Sequence, residues 1–229
     1  FEFIRRVWII MIEARQHTFQ VLTKRPERMF EFLSTHAPVR AMTGETYGKD
    51  FLPKNIWLGV TAENQEQADK RIPILLDTPA AVRFVSIEPM LEAIDLTKLE
   101  KDMSDGTRYG YKMNGLTGIG YEYMPDSSHA WKWAKIDWVI VGGETGTNAR
   151  PMHPDWVRSI KEQCETGKVP FFFKQWGEYK TLSQGKSVTG YKSHFWEDGR
   201  QAVQVGKKQA GYLLDGVEYR EMPEAGNEK

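Results

Sequence analysis

Ionisable side chains follow directly after three apolar runs of the sequence, and they are the residues best placed for chemistry. Glu88 and Glu144 each come after a run rich in Val and Ile, and Lys174 comes after three consecutive phenylalanines. A carboxylate beside a buried strand needs a partner or a function, because an unpaired buried charge is costly. We therefore predict Glu88, Glu144 and Lys174 as catalytic residues.

Glycine and arginine residues near Glu144 extend this candidate site. Gly142 and Gly143 carry no side chain, so their backbone either approaches a ligand closely or forms a tight turn. Arg150 either pairs with Glu144 or binds an anionic ligand. We include Gly142, Gly143, Glu144 and Arg150 in the candidate ligand site.

Further polar side chains end the remaining apolar runs. Lys24 and Arg25 are either an anion-binding pair or a solvated loop pair. Thr61 either contacts a ligand or caps the helix that follows it. Gln175 and Trp176 offer an amide and a stacking surface at one strand end. We predict these five residues as substrate-binding.

Five short apolar runs rich in Val, Ile and Phe are the predicted strands of one parallel sheet. They span residues 17–23, 55–61, 82–87, 137–141 and 169–173. Continuous apolar runs indicate strands covered on both faces, and segments with helical spacing separate most of them. In parallel βα folds the ligand site lies beyond the carboxyl ends of the strands, where the candidate residues gather.

This alternation of strands and helices fits either a doubly wound open sheet or a (β/α) barrel. We predict the α/β class and a partial TIM-like (β/α) barrel, because polar residues follow the strands all along the chain and no Gly-x-Gly-x-x-Gly turn occurs. Residues 1–177 form the predicted barrel body, with a loop at 35–52 and an insertion at 97–135 in which Asn114-Gly115 marks a hairpin turn. Residues 178–229 form a predicted small C-terminal extension with short β pieces and a frayed end. The chain opens inside an amphipathic helical pattern, so we expect a further segment upstream of Phe1.

The composition excludes several classes of protein. Among 229 residues, Lys plus Arg and Asp plus Glu number 31 each, so no global basic field attracts nucleic acid. The one cysteine, Cys164, rules out an intrachain disulfide and fits a reducing, cytoplasmic setting. No apolar run is long enough for a membrane span. Nothing in the sequence indicates an oligomeric state.

Histidine and cysteine give only weak candidates. The five histidines show no metal-ligand spacing, so no metal site is predicted. His153 is predicted to start a helix, and Cys164 to be a packed thiol on the apolar face of that helix. No zinc motif, phosphate-binding loop or Gly-x-Ser-x-Gly elbow occurs.

Seven longer motifs are spread over most of the chain. The first four are Thr18-Phe-Gln-Val-Leu-Thr-Lys-Arg-Pro-Glu-Arg28, Asn55-Ile-Trp-Leu-Gly-Val-Thr61, Arg83-Phe-Val-Ser-Ile-Glu-Pro-Met90 and Asp137-Trp-Val-Ile-Val-Gly-Gly-Glu144. The others are Ala149-Arg-Pro-Met-His-Pro-Asp-Trp-Val-Arg158, Pro170-Phe-Phe-Phe-Lys-Gln-Trp-Gly177, and Gly206-Lys-Lys through Leu214-Asp-Gly216. Together these motifs resemble the phage gene-product 37/68 family, an uncharacterised family found in phages and bacterial genomes.

The resemblance implies similarity to the radical S-adenosylmethionine enzymes. In those enzymes the first barrel strand is followed by a loop of three cysteines that bind a [4Fe–4S] cluster. Such a segment is expected upstream of Phe1, because Cys164 does not replace it. By the resemblance, Ser86, Glu88 and the positions Gly142 to Glu144 would face S-adenosylmethionine or substrate. We assign Ser86, Gly142, Gly143, Glu144 and Arg150 to cofactor binding. The resemblance implies no particular substrate.

Two alternative functions stay open. A degenerate, non-catalytic barrel would hold a nucleotide or a nucleic-acid end through Lys24, Arg25, Lys174 and Trp176, with Lys207 and Lys208 assisting. The neutral net charge does not favour binding of nucleic acid. A phage accessory protein without catalysis would use its neutral surface and the aromatic residues of the insertion for protein contacts.

Overall fold

The computed structural model describes residues 1–35, 53–101, 111–122, 130–183 and 186–224. The described helices are α1 (Glu2–Glu13), α2 (Pro26–Thr35), α3 (Gln65–Asp77), α4 (Pro154–Gly167) and α5 (Lys207–Ala210). The first described strands are β1 (Phe19–Thr23), β2 (Ile56–Thr61), β3 (Val82–Ile87), β4 (Leu99–Lys101), β5 (Tyr111–Asn114) and β6 (Ile119–Glu122). They are followed by β7 (Ala130–Lys132), β8 (Trp138–Gly142), β9 (Phe171–Gln175), β10 (Tyr179–Thr181), β11 (Ser193–Phe195) and β12 (Gln201–Gln204). Most of the predicted loop at 35–52 lies outside the described residues.

A five-stranded sheet forms the centre of the molecule, in the order β1-β2-β3-β8-β9. Every neighbouring pair in it is parallel. This confirms the predicted α/β class and the parallel sheet. Among the described residues β1 and β9 are the two outer strands, so the sheet is open and does not close into a barrel.

The four longer helices pack against one face of this sheet. Alternate strand residues point to the same face, since side chains along a strand alternate between its two sides. One buried cluster joins residues of the helices to residues of the strands: Trp8, Ile72 and Val157 from helices, and Leu58, Val85 and Val139 from strands. A doubly wound sheet would instead carry helices on both faces.

The opposite face of the sheet carries a smaller core of its own. Trp57, Phe84 and Trp138 are buried there, and the ring centroids of Trp57 and Trp138 lie 5.9 Å apart. Gly59 lies directly against the Phe84 ring, where a Cβ atom would overlap it. The aromatic residues therefore fill the half of this face nearest the amino ends of the strands.

A small antiparallel sheet provides the connection between β3 and β8, where the insertion was predicted. Its strands follow the order β4-β5-β6-β7, and the predicted hairpin is present, with β5 and β6 joined through the Asn114 turn. The Asn114 side chain accepts hydrogen bonds from the amides of Leu116 and Thr117 at 3.0 and 3.1 Å. Leu99 and Leu116 are buried in the cluster that also contains the helices. This small sheet thus covers the helix-bearing face where another βα unit would place a helix.

The residues after β9 form a second small sheet and then return to the central one. Strands β10, β12 and β11 pair antiparallel, in agreement with the short β pieces predicted here. The final segment runs antiparallel beside β9: the Phe173 amide donates to the Tyr219 carbonyl (3.0 Å), and the Glu221 amide to the Phe171 carbonyl (3.2 Å). Residues 219–221 therefore cover the outer edge of β9.

Candidate functional site

Glu88 and Lys174 meet at the carboxyl edge of the central sheet. The Lys174 Nζ lies 2.9 Å from Glu88 Oε2, although the two residues are 86 positions apart. Gln175 Nε2 lies 3.4 Å from the other Glu88 oxygen. The Glu88 side chain is 24% exposed, so it is accessible at the rim of the sheet. Glu88, Lys174, Gln175 and the adjacent Gly142 are called the strand-end cluster below.

The two glycines beside this cluster are in different surroundings. A Cβ atom at Gly142 would lie 3.1 Å from the Glu88 carboxyl group, so this glycine leaves space beside that carboxylate. A Cβ atom at Gly143 would overlap the backbone carbonyl of Trp176. Gln175 is buried and donates from Nε2 to the Gly143 carbonyl at 2.9 Å. Gly143 is therefore packed against backbone, as expected for the tight-turn interpretation.

Lys24 belongs to a second group of charged residues at the same edge of the sheet. Its ammonium pairs with Glu63 Oε1, and Arg71 Nη1 pairs with Glu63 Oε2 at 2.8 Å. Arg71 Nη1 also donates to the carbonyl of Thr61 (2.9 Å) and to its hydroxyl (3.2 Å). Lys24, Thr61, Glu63 and Arg71 are called the Glu63 cluster below.

Thr61 does not cap the following helix, contrary to one of the two predicted roles. That position is taken by Asn64, whose Oδ1 accepts a hydrogen bond from the Gln67 amide at 2.9 Å. Thr61 holds Arg71 instead.

Glu63 is ionised and firmly held. Burial alone would raise the pKa of Glu63, but the hydrogen bond from Lys24 and the charge of Arg71 lower it below its ordinary value. The side chains of Glu63 and Arg71 are only 12% and 13% exposed, whereas Lys24 is 58% exposed. Neither Glu63 nor Arg71 is among the site residues predicted from the sequence.

The segment after β3 connects the strand-end cluster with the Glu63 cluster. The Leu91 amide donates to the Glu63 carbonyl at 2.9 Å, and the Met90 amide to the Gly142 carbonyl at 3.1 Å. Ser86 is buried on β3 beside Thr61 in register, and its alternation with Phe84 places it on the face away from the helices. Backbone contacts thus hold the strand ends in one connected layer.

Glu144 and Arg150 form a bidentate ion pair. Arg150 donates from Nε and from Nη2 to the two carboxylate oxygens, both at 2.8 Å, and its amide donates to Oε2 at 2.8 Å. The hydrogen bond from the Arg150 side chain is the main reason why the pKa of Glu144 is lowered. Of the two predicted roles for Arg150, the structure shows the pairing with Glu144.

Arg25 and Trp176 lie apart from the strand-end cluster. Arg25 borders a shallow cavity next to Phe1 and Arg28. The Trp176 indole packs against Phe173 with ring centroids 4.9 Å apart, and its Nε1 donates to the Leu213 carbonyl at 2.9 Å. Lys24, Thr61, Ser86, Glu88, Gly142, Lys174 and Gln175 therefore come together at the carboxyl edge, and these two residues do not join them.

A further charged network, which the sequence did not indicate, surrounds the start of α4. His153 Nε2 lies 3.1 Å from Asp198 Oδ2, and His153 Nδ1 accepts from the Asp155 amide, which confirms His153 as the residue that starts the helix. These three side chains have ligand atoms within 4.8 Å of one another. However, Arg200 pairs with both carboxylates, at 2.8 and 3.2 Å, and Arg158 pairs with Asp155 at 2.6 Å. The carboxylates are thus neutralised by arginines and form ion pairs rather than an open metal site.

Cys164 is a buried free thiol, as predicted. Burial raises the pKa of this thiol to about 12, so it is protonated and a poor ligand or nucleophile at neutral pH.

These observations define an α/β protein whose longer described helices lie on one face of a parallel sheet. Ion-paired polar residues lie at the carboxyl ends of its strands. The chain belongs to the DUF5131 family of proteins of unknown function, whose family model matches residues 1–223. No curated protein and no solved structure matches the chain. The family description names no activity, so the likeness to the gene-product 37/68 family and to radical S-adenosylmethionine enzymes stays a prediction. No helix within the described residues is long and apolar enough to cross a membrane.

Proposed function

We propose that this chain is the main part of a (β/α) barrel that binds S-adenosylmethionine, or a similar small zwitterionic cofactor, at the carboxyl edge of its sheet. The observation that carries the proposal is the strand-end cluster, in which Glu88 and Lys174 are paired but accessible beside Gly142. A ligand with an amino group and a carboxylate exchanges for such a pair without leaving a charge unmatched, since the ammonium meets Glu88 and the carboxylate meets Lys174.

The barrel part of the proposal is supported by the order of the strands and the position of the helices. Right-handed βα units that continue in one direction place their strands in sequential order and their helices on one face, and so generate a barrel wall. The aromatic core on the other face resembles the packed interior of such a barrel. Helix α1 packs in the helix layer and leads into β1, and within the described part of the chain β1 has a parallel neighbour on one side only. We propose that a further parallel strand pairs with this open side of β1.

The residues of this chain fit S-adenosylmethionine but do not fit the [4Fe–4S] cluster. Glu88, Lys174 and the space at Gly142 fit the amino-acid portion of S-adenosylmethionine, which would supply the reactive group when bound. A [4Fe–4S] cluster does not fit this chain, because its cysteine ligands would have to come from elsewhere: Cys164 lies on α4, buried in the main core, and is protonated. We therefore assign Glu88 and Lys174 a role in binding and orientation and derive no radical step. The buried single thiol accords with the reducing, cytoplasmic compartment that we propose.

Calorimetric titration of the purified chain with S-adenosylmethionine tests the proposal. We expect saturable binding, and we expect Glu88→Gln and Lys174→Met each to weaken it by about tenfold, since a charge-assisted hydrogen bond contributes about 1.5 kcal/mol or more. Glu92→Gln and Lys70→Met are matched controls, because both residues are exposed and lie outside the cluster. No heat of binding up to about 1 mM ligand, or equal weakening by control and cluster variants, contradicts the proposal and favours a non-catalytic interaction protein.

A further inference from the structure

A second cleft lies away from the strand-end cluster, between the start of α4 and the small C-terminal sheet. It has a volume of about 430 Å³, which is within the range of small-molecule sites. Its walls come from the end of β9, from β10 and the residues after it, and from the segment that follows α5. Its lining includes Arg158, Trp176, Lys180, Arg200, Leu213 and Asp215. We call it the C-terminal cleft.

One wall of the C-terminal cleft is a fixed aromatic ring. Trp176 is held by the hydrogen bond from its Nε1 to the Leu213 carbonyl and by edge-to-face packing on Phe173. Because the ring cannot turn without losing both contacts, it presents a constant surface to the cleft. A flat ring of this kind stacks on any nucleobase, because every base has a π face.

The Asp215 carboxylate in the lining of the cleft is neutralised by an arginine. Arg158 binds both oxygens of Asp215, at 2.8 and 2.6 Å. Arg200, which also lines the cleft, pairs with Asp155 at 2.8 Å. The positive charge of the remaining lysine is therefore not cancelled by an acidic neighbour in the lining.

Lys180 is that lysine. It is exposed on β10, and its ammonium has no ion-pair or hydrogen-bond partner anywhere in the described ranges. By contrast, Lys24, Lys161 and Lys174 each pair with a glutamate. Lys180 is thus an exposed cation in the lining of the cleft, available to an anionic ligand.

The segments around the cleft add to this positive field. Between residues 178 and 212 the sequence has six Lys or Arg and three Asp or Glu, although the whole chain is neutral. Lys207 and Lys208 are exposed in α5, the same short helix that brings Ala210 to the cleft lining. A local excess of cations raises the concentration of anionic ligands near the surface.

We propose that the C-terminal cleft binds a nucleoside phosphate, with Trp176 stacking on the base and Lys180 contacting the phosphate. The aromatic wall and the unpaired cation lie in one cavity large enough for a single nucleotide unit. The unit is supplied either as a free mononucleotide or as part of single-stranded nucleic acid, because the chemistry recognised is the same.

Three probes test this assignment: adenosine monophosphate, adenosine, and a fluorescein-labelled oligoadenylate. We expect the wild-type chain to bind the monophosphate by calorimetry and adenosine at least about tenfold more weakly, since the phosphate contact is lost. Much tighter binding of the oligoadenylate in an anisotropy titration, weakening steeply as salt is raised, identifies single-stranded nucleic acid as the source. Equal affinity for the monophosphate and the oligoadenylate identifies the free nucleotide.

Variants locate the binding. Lys180→Ala is expected to weaken monophosphate binding by roughly tenfold. Lys70→Ala is the matched control, because Lys70 is also exposed and lies on α3, outside the cleft. Trp176→Leu is expected to weaken it at least about fivefold, and Trp176→Phe to retain most of it. Glu88→Gln should leave it unchanged, which separates this site from the strand-end cluster. Absence of monophosphate and oligoadenylate binding, or equal binding by the Lys180→Ala and Lys70→Ala proteins, overturns the assignment.

Discussion

Replacing Glu63 by glutamine removes one charge from the Glu63 cluster while keeping the size of the side chain. In the wild-type chain the two carboxylate oxygens are divided between Lys24 and Arg71. The substitution leaves the Arg71 guanidinium, only 13% exposed, without its counter-charge.

The cost follows from how deeply each partner is buried. Removing one member of a fully buried pair costs about 3–5 kcal/mol. Here Arg71 keeps two hydrogen bonds to Thr61, at 2.9 and 3.2 Å, so part of that cost is avoided. Lys24 is 58% exposed, and an exposed ion pair contributes less than about 1 kcal/mol. We therefore expect Glu63→Gln to lower the free energy of unfolding by about 2 kcal/mol, nearly all of it through Arg71.

Urea denaturation at neutral pH, followed by tryptophan fluorescence, measures this difference. Glu66→Gln is the control, because Glu66 is exposed on α3, the helix that carries Arg71, and should change stability by less than about 0.5 kcal/mol. Lys24→Met should cost less than about 1 kcal/mol. A loss below about 0.5 kcal/mol for Glu63→Gln, or a loss for Lys24→Met as large as that for Glu63→Gln, refutes the burial argument.

Three further results are expected. Gly143→Ala should lower the free energy of unfolding by about 3 kcal/mol in the same assay, because its Cβ meets the Trp176 carbonyl, which cannot move as a side chain would; a neutral effect would contradict the packing. The thiol of Cys164 should react with an aromatic disulfide reagent only after unfolding, since it is buried and its pKa is raised to about 12; rapid reaction of the folded chain counts against this. The stability gained from Glu144 is present above its ordinary pKa of 4.5 and lost as the pH falls through its lowered folded pKa, so the stability difference between wild type and Arg150→Gln should shrink in acid; a constant difference argues against the ion pair.

The strands of the central sheet could be predicted because their apolar runs are continuous. The predicted run 82–87 coincides with β3, and the others differ from the observed strands by two residues or fewer at either end. Residues covered on both faces leave an unbroken apolar signal, which is stronger than the alternation of a half-exposed strand. The sequence could not show that the sheet stays open, because closure depends on what pairs with its two outer strands.

For a similar reason, the sequence could not predict which residues pair with the charged side chains at the strand ends. Glu88 and Lys174 meet only because β3, β8 and β9 are neighbours, and the strand order sets that contact. Arg71 gave no signal, since an arginine in a helical pattern is usually a solvated residue.

A shift in strand register explains why Trp176 does not lie with the other predicted residues at the strand ends. The register between β8 and β9 shifts after Val141, so that Gly142 lies opposite Gln175. The extra residue reverses the alternation of side chains, and Trp176 comes to lie on the helix-facing side with Phe173. Lys174 keeps its place beside Glu88, and the two residues that were predicted as one site are thereby separated.

The antiparallel segment on the outer edge of β9 also has a protective role. An exposed strand edge presents unpaired amides and carbonyls that recruit strands from other molecules. Here the Tyr219 carbonyl accepts from the Phe173 amide and the Glu221 amide donates to the Phe171 carbonyl, in a strand that begins with three phenylalanines. We expect a chain shortened before Val217 to offer that aromatic edge to strands of other molecules, because residues 219–221 would no longer cover it.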